Sequence, residues 1–248
     1  MTECNDIKEQ RRNNTGLAKV AVQSSADTFV VNQSWFSAST FAVKIATFAK
    51  PETVSGQAKT THHEIIEMLK MEIEKLKFPI GKFEKPTTMT KDILTKWISD
   101  ISTFPKRLLN EVVNLTDEQL DTQYRPSGWT IRQVVHHCAD SHMNSLTRFK
   151  LALTEDKPTI KPYFEERWAE LLDSKSMPIE PSLKMIEGIH ERWTVLLNNL
   201  TDDQLERIFI HPEHGKTFRV DENIGVYAWH CNHHLAHITE TKKRNNWI

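Results

Sequence analysis

The chain has 248 residues, enough for one large domain, or for one domain with an extension, and enough to bury an apolar core. Its 38% hydrophobic and 26% charged residues are ordinary for a soluble globular protein. A formal net charge of −1 gives no electrostatic basis for nucleic acid or an anionic membrane as the main partner.

The cysteines indicate a reducing compartment. Cys4, Cys138 and Cys231 are odd in number and widely spaced, which fits neither a disulfide framework nor a Cys-x-x-Cys zinc ribbon. No apolar run approaches the roughly 20 residues that span a bilayer. We therefore expect a cytoplasmic protein with no membrane segment.

Residues 1–76 are predicted to form an N-terminal extension that is largely disordered. Between residues 11 and 60, two acidic residues stand against six basic ones, and Ser, Thr and Ala are frequent. Such a composition is typical of an organellar transit peptide, which is the alternative to a cytoplasmic location. The acidic residues Glu3, Asp6 and Glu9 argue against that alternative, so we favour a disordered extension.

One helix is predicted within the extension. Thr61-His62-His63-Glu64 is a capping box before an amphipathic run, which predicts a helix at about 62–77 with both histidines in its exposed first turn. FPIGKFEKP (78–86), with two prolines and a glycine, is typical of a linker. The main domain is therefore predicted to span residues 77–248.

Four helices are predicted in the main domain. Pro105 lies inside the first helix, and we expect it to kink or break that helix. A second capping box, TIRQ, starts the second helix. In chain order, the predicted helices run from Thr90 to about Asn114, from Thr130 onward, from the prolines Pro178 and Pro181 to Asn199, and from Asp221 toward the C-terminus.

An internal repeat suggests how these helices are arranged. LTDEQL (115–120) follows the first helix and LTDDQL (200–205) follows the third, and each precedes a helix with a histidine pair. Two similar helical hairpins, placed antiparallel, predict an all-α four-helix bundle in which histidines of helices two and four face one interior. Strand signals are weak, and only TFRV (217–220) is expected to form a short edge strand.

The segment WHCNHHLAHI (229–238) carries four histidines, the residue that most often binds metals in proteins. At about 100° per residue, His230 and His234 border the apolar stripe of this helix, whereas His233 and His237 turn toward the rim. Two histidines four residues apart share a helical face and can chelate one ion, as in the zincin helix. The glutamate of the zincin motif is missing, so periodicity favours the pair without defining a class of protein.

A third ligand is expected from the second helix. His142 lies within the apolar face, where a hydrogen-bonded core histidine fits as well as a ligand does. His137 borders a polar stripe of the kind that lines a pocket, and His136 points outward. Periodicity leaves His137 and His142 as alternatives.

Two long stretches resemble a known family. YRPSGWTIRQVVHHCADSHMNSLTRFKLALTEDKPTIKPY (124–163) and YAWHCNHHLAHI (227–238) are similar to the YfiT-type metal-dependent hydrolases of the DinB/bacillithiol-transferase superfamily. The likeness extends over about residues 77–248 and includes FPIGKF and LTDEQLDTQYR. It implies a DinB-like four-helix bundle with one metal site.

The resemblance also implies a ligand set, because the family takes one histidine from helix two and two, four residues apart, from helix four. These positions correspond to His137, His230 and His234 in this sequence. The family implies a zinc or nickel ion, one per chain, and a homodimer. Cys138 and Cys231 depart from the residues common beside the ligands, and we expect both to pack in the core.

Three imidazoles leave an open coordination position, which is typical of catalytic rather than structural sites. Hydrolysis of a small-molecule substrate through an activated water is the function that the family implies. Thiol S-transfer, also found in the superfamily, and a non-catalytic metal-binding stress protein are the alternatives. The catalytic residues are unknown from sequence: Asp140 is expected to be solvated or to hydrogen-bond a ligand histidine, and Arg148 to lie at the surface or to hold an anionic group.

Overall fold

The computed structural model describes residues 19–23, 28–32, 62–213 and 215–247. The chain divides into two compact units, Met1–Thr61 and His62–Ile248. Within the first unit, strands β1 (Lys19–Gln23) and β2 (Thr28–Asn32) pair antiparallel, which the sequence did not predict. The expected disorder and the transit-peptide alternative otherwise concern residues outside the described ones, and the domain boundary at 76/77 remains a prediction.

The second unit is mostly helical in its described part, as predicted. Its elements, in chain order, are α1 (His62–Lys77), α2 (Lys91–Val112), α3 (Asp117–Leu120), α4 (Ile131–Thr154), α5 (Glu165–Trp168), α6 (Leu172–Ser176), α7 (Glu180–Asn198), α8 (Asp202–Glu206), β3 (Ile208–His211), β4 (Lys216–Arg219) and α9 (Val220–Arg244).

The long helices α2, α4, α7 and α9 form the predicted four-helix bundle. Helix α2 packs against α7 and α9, and α4 packs against the same two helices. Consecutive helices, α2 with α4 and α7 with α9, therefore lie diagonally across the bundle, so the expected pairing into two helical hairpins is wrong. Short elements connect each diagonal pair, which is why periodicity within the helices did not reveal this arrangement. The consequence for the site is that α4 and α9 are neighbours.

Capping boxes set the starts of several helices. The Thr130 hydroxyl accepts a hydrogen bond from the Gln133 backbone N–H at 3.1 Å, and the Gln133 side chain accepts from the Thr130 N–H at 2.9 Å. The repeated hexapeptides form α3 and α8, each started by the same reciprocal pair, Thr116 with Gln119 and Thr201 with Gln204. Each box satisfies two N–H groups that a helix start otherwise leaves unpaired.

Helix α2 continues through Pro105, so the break considered from sequence does not occur. Proline has no N–H, and it therefore cannot donate the usual helical hydrogen bond to the carbonyl four residues earlier. That carbonyl belongs to Ile101, and it accepts a hydrogen bond from His190 Nδ1 on α7 at 2.7 Å. A side chain of a neighbouring helix thus replaces the bond that Pro105 removes.

The core between the four helices is apolar and tightly enclosed. Large side chains from each long helix are buried, and each such burial stabilises the fold by about 1.5–3 kcal/mol. The largest apolar ones are Ile101, Phe104, Leu108, Ile131, Phe149, Ile186, Trp193, Ile224 and Ile238. Among the described residues, no helix is both long and apolar enough to cross a membrane.

A small hairpin closes one end of the unit. Strands β3 and β4 pair antiparallel, with Phe209 opposite Phe218, and β4 confirms the edge strand expected at TFRV. Strand β3 was not predicted, because its sequence IFIH is a short apolar run without the alternation of polar and apolar residues that indicates a strand. Beside it, the Ile160 N–H donates to the Ile210 carbonyl at 3.0 Å, which ties the segment after α4 to the hairpin.

Helices α2 and α9 approach closely at Gly225. A Cβ atom at this position would lie 2.5 Å from the Trp97 ring, whereas a Cβ at Gly188 on α7 would have nothing within 4 Å. We expect Gly225→Ala to lower the free energy of unfolding by about 1–3 kcal/mol through overpacking. Gly188→Ala is the control and should raise it by about 0.5–1 kcal/mol, because alanine favours the helix. Urea unfolding measures both changes, and equal stabilisation by the two substitutions would contradict the close approach.

Candidate metal centre

Three histidines from two neighbouring helices converge in the bundle. His137 lies on α4, and His230 and His234 lie one turn apart on α9. Each offers one ring nitrogen, and the three nitrogens lie within 4.8 Å of one another. The structure therefore brings together the three residues that the sequence analysis singled out.

The spacing fits a shared metal ion. His137 Nε2 and His230 Nε2 are 3.2 Å apart. Two nitrogens bonded to one tetrahedral zinc ion at about 2.0–2.1 Å lie about 3.3 Å from each other. The His234 ring is also near, with its centroid 4.7 Å from that of His137 and 4.4 Å from that of His230. The donor set and its spacing therefore suit a divalent ion.

Burial keeps these imidazoles neutral. It lowers the pKa of His137 to about 3, with a smaller contribution from His233 nearby. The pKa values of His230 and His234 are also lowered far below 6.5, by burial first and by the neighbouring imidazoles second. Because a metal binds the neutral imidazole, protons do not compete for these nitrogens at neutral pH.

The site opens into a cavity of about 590 Å³. His230 forms part of its wall, together with the hydroxyl-bearing residues Ser141 and Tyr227. Ser141 Oγ lies 3.4 Å from His230 Nε2. The other residues that line the cavity are Arg148, Tyr163, Phe164, Glu165, Glu166, Arg167, Phe209, His211, Glu213, Phe218, Asn223 and Val226. A small molecule in this cavity would reach one edge of the histidine triad.

Three expectations about the other histidines are wrong. His136 is buried rather than outward-facing, and its ring contacts Ser182 Oγ at 2.7 Å and the Met177 carbonyl at 3.1 Å. His233 and His237 are buried rather than at the rim. The reason is the same in each case: a segment outside the helix covers that face, which helical periodicity does not reveal.

The cover over α9 is formed by the last residue of α1 and the segment that follows it, together with Tyr124. The Phe78 ring lies 5.8 Å from that of His233, and His237 Nε2 is 3.1 Å from the Lys77 carbonyl. Tyr124 stacks on His237 with ring centroids 3.9 Å apart. In α1 itself, the expected exposure of His63 is confirmed, whereas the side chain of His62 lies outside the described ones.

His142, the alternative third ligand, is fully buried and is not part of the triad. Its Nδ1 is 2.7 Å from His190 Nε2, and its Nε2 is 3.0 Å from His230 Nδ1. His190 was not identified from sequence, although Ile186, His190 and Trp193 recur at helical spacing along the buried face of α7. That periodicity is the signal that would have found it.

Two further groups have metal-ligand spacing. In the first, His142, His190 and Cys231, all four imidazole nitrogens already have hydrogen-bond partners. Cys231 and Cys138 are buried in the core as expected, and burial raises the pKa of both thiols. The second group is His233, His234 and His237, whose Nδ1 atoms have no hydrogen-bond partner within the described part of the chain. This second group is therefore the competitor for a metal ion.

Asp140 and Arg148 differ in their relation to the site. Asp140 is half-buried, its pKa is raised to about 6 by burial and by Asp173, and within the described ranges it makes no hydrogen bond to a histidine. Arg148 is half-buried and lines the cavity that reaches His230. Whether Arg148 holds an anionic group, as the sequence analysis considered, stays a prediction.

Comparisons with known proteins agree with this fold. The family model described as the DinB superfamily matches residues 101–238. A protein of Oceanobacillus iheyensis, with the provisional name of metal-dependent hydrolase, is 53% identical over 171 residues, which is 69% of this chain and 98% of that protein. A Bacillus mycoides protein with the same provisional name is 53% identical over 172 residues, with the same coverage.

A solved structure is also similar. It is YfiT from Bacillus subtilis, described as a probable metal-dependent hydrolase with an unusual four-helix bundle topology. The two chains are 47% identical, the TM-score is 0.69, and the match covers 70% of this chain and 99% of that one. The residues outside the match correspond to about the length of the N-terminal extension.

The buried histidines predict acid-sensitive stability. Burial lowers the pKa of His137 and His237 to about 3 and that of His190 and His233 to about 4. Unfolded histidine titrates near 6.5, so between about pH 6.5 and pH 4 the unfolded chain binds more protons than the folded one. The free energy of unfolding should fall in that window by up to about 1.4 kcal/mol per pH unit for each histidine.

Asp140 and Glu165 act in the opposite direction, because their raised pKa values add stability as the pH falls, but they are two groups against eight histidines with lowered pKa values. Urea unfolding of the metal-free protein at pH 7.5, 6 and 5 measures the slope. His237→Gln is the matched variant and should make the slope shallower, because it removes one titrating ring. Stability that stays constant or rises between pH 6.5 and pH 5 would contradict the neutral, buried state of these rings.

Proposed function

This chain belongs to the DinB superfamily, and on that premise we propose that it is a metal-dependent hydrolase whose ion is held by His137, His230 and His234. The observation that carries the proposal is the convergence of three neutral ring nitrogens within 4.8 Å, one of them on His230, which lines a cavity of about 590 Å³. A purely structural cluster of buried histidines would need neither the convergence of ring nitrogens nor the adjoining cavity.

The number of protein ligands supports catalysis over a structural role. Structural zinc sites are closed by four protein ligands, whereas catalytic sites have three and keep a position open. A divalent ion held by the triad would lower the pKa of a water to about 7 and polarise a substrate carbonyl. Zinc and nickel both suit imidazole ligands, and we propose one ion of either kind per chain, with zinc first on general availability.

The cavity indicates how this chain would bind a small-molecule substrate. Arg148 offers a half-buried cation to an anionic group of the substrate. Asn223 is buried, lines the same cavity, and has a side-chain N–H₂ group without a partner among the described residues. Phe209 and Phe218, stacked with centroids 5.5 Å apart, offer an apolar wall. A substrate with one polar or anionic end and one apolar end fits these groups.

A cytoplasmic homodimer is part of the proposal. The relatives named above come from bacteria, which supports a cytoplasmic rather than an organellar location. Helix α1 exposes a row of apolar side chains that a second copy could cover: Ile65, Ile66, Met68, Leu69, Met71 and Ile73.

Metal content tests the ligand set. We expect His137→Ala, His230→Ala and His234→Ala each to reduce bound metal from about one ion per chain to nearly none, because two imidazoles hold an ion far more weakly than three. Elemental analysis of purified protein measures this. His136→Ala is the matched control, one residue from His137 and buried, and it should retain the ion. Retention by His137→Ala together with loss in His237→Ala would instead assign the ion to His233, His234 and His237.

Turnover tests the reaction. Metal-loaded protein should hydrolyse members of an ester and amide panel, and His230→Ala should fall to the rate of the metal-free protein. Arg148→Ala should raise KM for anionic substrates more than for neutral ones, because it removes the cation from the cavity wall.

A second assay supplies an electrophile with a small thiol. Turnover only with the thiol would select S-transfer, and silence in both assays would select a non-catalytic metal-binding protein.

A further inference from the structure

A line of hydrogen bonds runs from the proposed metal site through the core to the backbone of α2. His230 Nδ1 is 3.0 Å from His142 Nε2, and His142 Nδ1 is 2.7 Å from His190 Nε2. His190 Nδ1 is 2.7 Å from the Ile101 carbonyl. We call His142, His190 and the Ile101 carbonyl the histidine relay. Both ring nitrogens of His142 and of His190 take part in these hydrogen bonds, and His230 takes part through Nδ1 alone.

The sequence of α2 fixes the direction of the last hydrogen bond in the relay, between His190 and the Ile101 carbonyl. The Ile101 carbonyl is the one that Pro105 leaves without a helical donor, and a carbonyl oxygen can only accept a hydrogen bond. His190 Nδ1 must therefore carry a proton and donate it to Ile101. This assignment does not depend on observing the hydrogen, because the acceptor has no alternative role.

The remaining proton positions follow in sequence. His190 is buried, and burial lowers its pKa to about 4, so the ring is neutral; once its Nδ1 carries the proton, its Nε2 is a lone pair and must accept. His142 Nδ1 then donates to His190, which leaves His142 Nε2 as the acceptor for His230. His230 Nδ1 donates to His142, and the lone pair of His230 is left on Nε2. That atom is the one that lies 3.2 Å from His137 Nε2.

We propose that His142 and His190 are positioning residues that hold His230 in its Nδ1–H tautomer, so that its Nε2 lone pair is directed permanently at the metal. The proposal rests on the proposed function and deepens it. Hydrogen bonds from the second nitrogen of a ligand histidine orient the ring, and their loss typically weakens metal binding 10–100-fold. In this chain the hydrogen-bond partner is itself an imidazole, and its orientation is set two steps away by a proline.

The relay also explains why its members are not a metal site themselves. Although His142 and His190 have metal-ligand spacing with Cys231, they have no free lone pair while the relay is intact. An ion there would have to break two hydrogen bonds of 2.7 Å in a core that is closed to solvent. The same geometry that prevents metal binding at His142 therefore prepares it at His230.

Zinc affinity tests the relay through three variants. His142→Leu removes the acceptor for His230 Nδ1 and should raise the Kd for zinc 10–100-fold, measured by chelator competition with the full-length protein. His142→Gln supplies an amide oxygen that can accept the same hydrogen bond, so it should recover part of the affinity. His136→Leu is the control for losing a buried, hydrogen-bonded histidine on the same helix, and its Kd should be unchanged. Equal Kd values in wild type and His142→Leu would overturn the proposal.

Tautomers provide a readout that a merely structural role would not change. In ¹⁵N-histidine NMR spectra of the metal-free protein, His142, His190 and His230 should all carry their proton on Nδ1. In His142→Leu, His230 should shift toward a mixture of tautomers. Wild-type His230 protonated at Nε2 would overturn the relay even if the variant does not fold. Because this measurement needs no metal, it also separates failure of the relay from failure of the metal site.

Discussion

Seven histidines are buried in the described part of this protein, and none of them can be charged there at an acceptable cost in free energy. Each neutral ring has one N–H that must be donated and one lone pair that must be used. The fold meets this constraint with backbone carbonyls, with hydroxyl groups and with other imidazoles. At His233, His234 and His237 the described part of the chain supplies no partner for Nδ1, so these atoms are left for a ligand.

The diagonal arrangement of the bundle makes this possible. Because α2 and α4 lie opposite each other, α4 is free to pack against α9, and His137 meets His230 and His234. The same arrangement places α7 between α2 and α4, so that His190 reaches both the Ile101 carbonyl and His142. A hairpin pairing of consecutive helices would have separated these groups. Topology therefore decides which histidines hydrogen-bond to one another and which have metal-ligand spacing.

Hydrogen bonding, rather than proximity, separates the three histidine groups. All three have ligand spacing, but the group with Cys231 is closed by its own bonds. The group at His233, His234 and His237 has free Nδ1 atoms and lies beneath the segment that follows α1. The triad at His137 has both an orientated lone pair and the cavity that holds Arg148. Of the three groups, the triad therefore best fits the proposal that an ion and a substrate bind side by side.

The sequence by itself determined the four helices, the capping box at Thr130, and the pair His230 and His234 beside the apolar stripe of the last helix, because these follow from local hydrogen bonds and helical period. The resemblance to a family then selected His137. Only the tertiary structure decided the diagonal packing, the cover over His136, His233 and His237, and the role of His142. These depend on which segments meet across the bundle, and a repeat of 3.6 residues along one helix carries no information about its neighbours.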